Sequence, residues 1–186
     1  RELNMKEGWL SRSFIATLKN NVQVHVKSLR FLSISQEEIG AIKYQISPLN
    51  CDAQISFEPF LDGNIVNQDK NWDDKFWNIL SVFSEKSSAF IEAETMKTRF
   101  KTCTFMHNQC TLNGVRVNPI FSEKNQRQKI GHKYQMSVDK GSTFTIEKIG
   151  GYTSDRKHNN VLLDAKSALE IASKKGFKIL LDEQAK

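Results

Sequence analysis

A chain of 186 residues with 39% hydrophobic and 26% charged residues describes one large globular domain, or one domain with an appendage, and it carries no apolar run of about 18 residues that would cross a bilayer as a helix. Its 27 basic and 21 acidic residues give a net charge of +6, but the basic residues are scattered, with tight groups only at Lys124–Lys129 and Lys174-Lys175, so a solvated surface is favoured over a nucleic-acid face. The three cysteines, Cys51, Cys103 and Cys110, lack Cys-x-x-Cys spacing, which signals neither a disulfide framework nor a zinc site and points to a reducing compartment.

The segment Arg1–Gly8 is charged and has neither an initiator Met nor a signal peptide's apolar stretch, so it reads as the middle of a longer protein. From Trp9 the periodicity is two. Leu10, Phe14, Ala16 and Leu18 share one face, and Ser11, Ser13 and Thr17 share the other. Lys19-Asn20-Asn21 supplies a turn, because Asn tolerates positive φ. Val22, Val24 and Val26 then alternate with Gln23, His25 and Lys27, and this second strand runs on through Arg30-Phe31-Leu32. After a polar link, Ser33–Glu38, the run Ala41–Ile46 places Ile42, Tyr44 and Ile46 on one face, and Pro48 ends it. Ala53–Phe60 repeats the pattern through Ile55 and Phe57.

That strand leads into Leu61–Asn67 and then Asn71–Trp77, a stretch dense in aromatic, amide and carboxylate groups. Trp72 and Trp77, two of the three tryptophans, lie close together beside Asp73 and Asp74. Indole faces next to Asp and Asn side chains suit sugar contact. The commoner use of such rings is burial against a core, which is the favoured reading of the stretch taken alone.

Asn78–Ser84 is short and apolar and fits either a strand or one helical turn. Ser88–Thr95 and Thr98–Met106 form a hairpin joined by Met96-Lys97. Thr111–Val117, Lys133–Val138 and Ser142–Ile149 follow, the last two joined at Asp139-Lys140-Gly141. Roughly nine or ten strands with regular turn signals predict an all-β sandwich or barrel. The tail differs. Asp164 is a candidate N-cap, and Ala165, Ala168, Leu169 and Ala172 form one helical face. Lys174 and Lys175 suit the end of that helix and Gly176 its C′ position, after which Phe177, Leu180 and Leu181 begin a second stripe.

Glycoside hydrolysis needs two carboxylates flanking a bond. Glu58, Asp62, Asp73 and Asp74 lie near one loop, but nothing in the sequence fixes a separation, and Asp62-Gly63 is equally a turn. The four histidines follow no metal-binding pattern. Gly150-Gly151 opens no helix, so it reads as a turn and not a phosphate loop. Thr153–Arg156 reads as an Asx or ST turn before the tail, although Arg156 could meet a carboxylate or a sugar hydroxyl.

Several segments in order resemble one known family: Arg1–Gly8, Arg12–Phe14, Arg30-Phe31, Ile46–Asn50, Leu61–Asn67, Ile146–Asp155, and Asp164–Gly176 with Phe177–Leu181. Together they resemble the N-terminal domain of family 65 of the glycoside hydrolases, which holds maltose, trehalose and kojibiose phosphorylases and acid trehalases. The resemblance implies a large antiparallel β-sandwich of the galactose-mutarotase-like type, a supersandwich, over residues 1–160. It implies a helical linker over residues 161–186 that leads to a separate (α/α)6 catalytic domain. The catalytic residues would lie in that domain, so none is expected in this chain, and no metal or cofactor is implied. Inorganic phosphate would be a co-substrate of the parent if that enzyme is a phosphorylase. The implied partners are the catalytic domain, a disaccharide α-glucoside and a second protomer, with neither nucleic acid nor membrane. The implied compartment is the cytoplasm, or the periplasm or exterior for a hydrolase parent with a signal peptide. Asp62, Asn67, Trp72, Asp73 and Trp77 are the candidate substrate-rim or interdomain residues. A free-standing carbohydrate-binding, lectin-like module is the alternative, motivated by Trp72 and Trp77. Lys124–Gly131 matches no pattern of the family.

Overall fold

The computed structural model describes residues 1–66 and 75–184. These form β1 (Glu2–Asn4), β2 (Trp9–Thr17), β3 (Gln23–Leu32), β4 (Ile39–Pro48), β5 (Ala53–Phe57), β6 (Phe60–Asp62) and β7 (Trp77–Glu85). They continue as β8 (Ser88–Thr95), β9 (Lys101–Leu112), β10 (Val115–Arg116), β11 (Ile120–Gln126), β12 (Lys129–Val138), β13 (Phe144–Ser154) and the helix α1 (Val161–Gln184). The large sheet runs β1-β2-β3-β4-β13-β9-β8-β7, with β10 beside β9. The small sheet centres on β12, with β11 along one edge and β5 and β6 along the other. The expected all-β sandwich is the architecture observed.

The large sheet is buried on both faces, but over different halves. On one face α1 lays Val161, Ala165, Leu169, Ala172, Phe177 and Leu180 against Phe31, Ile39, Ala41, Cys103, Phe105 and Ile149. On the other face the small sheet packs Ile55, Phe57, Tyr134 and Val138 against Cys110, Phe144 and Ile146. A neighbouring cluster joins Leu61 and Ile130 to Ala89, Ile91 and Met106. Successive side chains of a strand point to opposite faces. Thus β9 sends Cys103 and Phe105 to the helix and Met106 and Cys110 to the small sheet. A side chain such as Phe105 or Met106 contributes about 1.5–3 kcal/mol by leaving water.

Several expectations change in detail. Ala53–Phe60 is two strands, β5 and β6, interrupted at Glu58-Pro59, because proline cannot donate to β12; the Pro59 carbonyl instead accepts from His132 N at 2.9 Å. Asn78–Ser84 resolves as strand β7. Thr98–Met106 and the start of Thr111–Val117 merge into the single strand β9, which turns at Asn113-Gly114 (φ 50° and 82°) into β10. Ile42 shares a face with Tyr44 and Ile46, as expected. It is exposed there, because the small sheet covers only the Tyr44–Ile46 end. Lys124–Gly131 is the β11–β12 hairpin. The helix cap is Asn160 and not Asp164: Asn160 Oδ1 accepts from Leu163 N at 3.1 Å, and Asp164 Oδ2 accepts in return from Asn160 N at 3.3 Å. Gly176 breaks the helix at φ 75°, a left-handed conformation that only glycine adopts cheaply.

Candidate functional site

Where the small sheet stops, the floor of a cleft is built by cross-strand register, not by any local motif. Leu10, Arg30, Ile42 and Lys148 stand side by side across β2, β3, β4 and β13. In the same way Tyr152 stands beside Thr104, and Thr104 beside Ile91. One wall is β6 and the residues after it. The Lys148 ammonium ties wall to floor, donating to the Phe60 carbonyl at 2.9 Å. Burial pushes its pKa below the ordinary lysine value. Lys129 lies over the Phe60 ring, 3.7 Å from its centroid.

The cleft has two parts that share Leu61, Thr104 and Tyr152. The larger, about 870 Å3, extends to Leu10, Arg30, Leu32 and Ile42. The smaller, about 330 Å3, is lined by Asp62, Gly63, Ile65, Trp77, Ile79 and Thr102 among others. Asp62 and Trp77 therefore meet in one pocket, as two of the five sequence candidates. Asn67, Trp72 and Asp73 lie outside the described residues.

The Asp62 carboxylate is engaged locally. Its Oδ1 accepts from Asn64 N at 2.9 Å, an Asx turn, and its Oδ2 lies 3.9 Å from Lys129 Nζ. Gly63 N donates to Gln128 O at 2.7 Å, which pins this turn to the β11–β12 hairpin. Glu58 pairs with Lys133 at 3.5 Å and does not line the cleft. Asp62 is then the cleft's carboxylate among the described residues, and double-displacement or inverting hydrolysis needs two. What the cleft offers is apolar surface with a few polar groups. Leu32 is 78% exposed, Tyr152 61% and Ile42 39%. Exposed apolar side chains in a concave setting are the kind of surface on which contact sites are built.

Other sequence candidates are structural. His25 is a surface histidine bonded to Ser13 Oγ at 2.8 Å. Burial pushes the Cys103 and Cys110 thiols up to about 12, so neither is a nucleophile at neutral pH. Asp155 accepts from Lys101 N at 2.8 Å and Arg156 lies over the Phe100 ring, so the loop before α1 is committed to packing. Among the described residues no group of three or more His, Cys, Asp or Glu side chains could hold a metal ion, and no helix is long and apolar enough to cross a membrane. Sequence reasoning missed Tyr152, Thr104 and Lys148 as cleft residues. Each is unremarkable within its own strand, and only the pairing of distant strands assembles them.

The model of the family described as glycosyl hydrolase family 65, N-terminal domain, matches residues 1–186. A maltose phosphorylase of Bacillus subtilis (strain 168) is 38% identical over 104 residues, which covers 56% of this chain and 14% of the relative. An α,α-trehalose phosphorylase of Thermoanaerobacter brockii is 25% identical over 197 residues, covering 99% of this chain and 25% of the relative. Among solved structures, a "putative kojibiose phosphorylase from human microbiome" superposes with a TM-score of 0.83 at 21% identity, covering 98% of this chain and 23% of that one. The chain thus spans a quarter or less of the length of these relatives.

Proposed function

The chain belongs to the glycosyl hydrolase family 65 N-terminal domains, and from that premise we propose that it is the non-catalytic N-terminal domain of an α-glucoside phosphorylase. Its cleft forms the active-site rim and interdomain surface of a longer protein. The observation that supports the reading is the apolar cleft at Leu32, Ile42 and Tyr152, exposed in this chain and lined, among the described residues, by one carboxylate that is already engaged. The named relatives, phosphorylases for maltose and trehalose, supply the reaction class.

In that protein, phosphate attacks the anomeric carbon while an acid outside this chain protonates the leaving sugar. Asp62 and Trp77, with Asn67, Trp72 and Asp73, sit on the rim or between domains and take no part in bond breaking. A homodimer in the cytoplasm completes the proposal. Assaying the longer protein on maltose, trehalose and kojibiose, with and without inorganic phosphate, tests the reaction class. Phosphate-dependent release of a hexose phosphate is expected, and phosphate-independent hydrolysis overturns it.

The second reading, a carbohydrate-binding module, draws on Trp77 and Tyr152 lining one pocket with the hydroxyls of Thr102 and Thr104. Titrating this chain with the same disaccharides while following tryptophan fluorescence separates the two. A saturable change favours the module, and no change favours the accessory domain.

A further inference from the structure

On the opposite face of the large sheet a second groove of about 780 Å3 opens between α1 and the ends of β8, β9 and β10. That volume falls within the range of small-molecule clefts, roughly 300–1,000 Å3. Its polar lining combines paired groups with two side-chain donors, Arg116 and Ser173, that have no partner in an ion pair or hydrogen bond among the described residues. Among the described residues, the Arg116 guanidinium is in no ion pair. The Ser173 hydroxyl is shielded from solvent and has no hydrogen-bond partner. The Ser88 hydroxyl and His107 Nδ1 lie 3.0 Å apart. Burial, then the Arg116 charge, lowers the His107 pKa and keeps the ring neutral. In the tautomer in which Ser88 donates to Nδ1, the ring's other nitrogen carries the proton and is a donor.

The acidic side chains at this groove are already matched. Glu85 pairs with Lys166 and Glu170 pairs with Lys174. The unmatched charge is Arg116, so the groove carries a net positive charge and a surplus of donors. Such a set is complementary to an oxygen-rich anion. The groove is far larger than an oxyanion needs, and the paired glutamates at its rim can accept from hydroxyl groups.

We propose that this groove is a second binding site, for a small metabolite that carries a terminal oxyanion, phosphate monoester or carboxylate, on a hydroxylated body. Arg116 holds the oxyanion, with His107, Gln109 and Ser173 as supporting donors. The groove and the cleft are on opposite faces of the sheet, and this inference does not rest on the phosphorylase reading.

The test is a titration of the 186-residue chain, ¹⁵N-labelled, with glucose 6-phosphate, glucuronate, inorganic phosphate and glucose, followed by NMR. Saturable shifts at Ser88, His107, Arg116 and Ser173 with at least one of the two hexose anions are expected, together with a raised His107 pKa in the bound state. Comparing those two arms identifies the oxyanion. The variant Arg116→Gln should weaken binding by about tenfold or more, the scale of one hydrogen bond to a charged group. Arg116 is exposed, so melting should move by no more than about 2 °C. The proposal is overturned if neither hexose anion gives saturable shifts, if they map elsewhere, or if Arg116→Gln binds as tightly as the parent sequence. Equal binding of glucose, or of inorganic phosphate alone, also overturns it.

Discussion

His132 and Asn108 are buried between the sheets at 0% and 2% exposure and face one another, Nδ1 to Nδ2, at 3.2 Å. Burial lowers the His132 pKa, against an opposing pull from Glu123, and also lowers that of His107. A histidine whose folded pKa lies below its unfolded value binds fewer protons folded than unfolded. Stability is therefore complete above the unfolded value of 6.5 and falls as the pH drops below it. The urea midpoint should decrease from pH 7 to pH 5, and His132→Gln, although less stable overall, should show a shallower decrease. An unchanged slope would place the effect elsewhere. Gly151 makes a steric prediction at the same scale. A methyl group there would fall within the van der Waals radius of the Glu38 carbonyl, which accepts from Tyr152 N at 3.2 Å. Gly151→Ala should cost roughly 3 kcal/mol, the upper end for overpacking, and thermal unfolding measures it.

At the scale of elements, α1 is held by its cap and by one apolar stripe. Replacing Asn160 by Ala removes the acceptor for Leu163 N and should cost about 1 kcal/mol. Replacing Leu180, which is fully buried against the sheet, by Ala should cost about 2–5 kcal/mol. Denaturant unfolding of both variants checks the ranking, and equal losses would mean that the stripe does not anchor the helix. The helix and the first hairpin were legible in the sequence because a single period ran along each. The strand β11 was not legible. All its residues from Ile120 to Gln126 are exposed, so its pairing with β12 imposes the extended shape and its own pattern does not. Nor was the split at Pro59 read, although the missing donor was there to see. The hardest feature was a sheet buried on both faces over different halves. Ile42 keeps the alternation of Tyr44 and Ile46 yet stands beyond the small sheet's reach.

For the whole molecule, three layers (helix, large sheet, small sheet) explain why a cleft exists. The small sheet is too narrow to cover its neighbour, which leaves Leu32, Ile42 and Tyr152 exposed on the uncovered part. The sequence marked Asp62 and Trp77 as belonging near a site through the density of aromatic and polar groups around them. It could not mark Tyr152 or Thr104, whose place in the cleft comes from register between strands some 50 residues apart. The central claim is that this cleft is covered by the rest of a longer phosphorylase. Thiol labelling at Tyr152→Cys, read peptide by peptide by mass spectrometry and normalised to the unfolded rate, tests it most directly. The account predicts rapid labelling in this chain alone and labelling slower by about tenfold or more in the longer protein, the effect of about 1.4 kcal/mol of protection. Equal rates in the two proteins would contradict it.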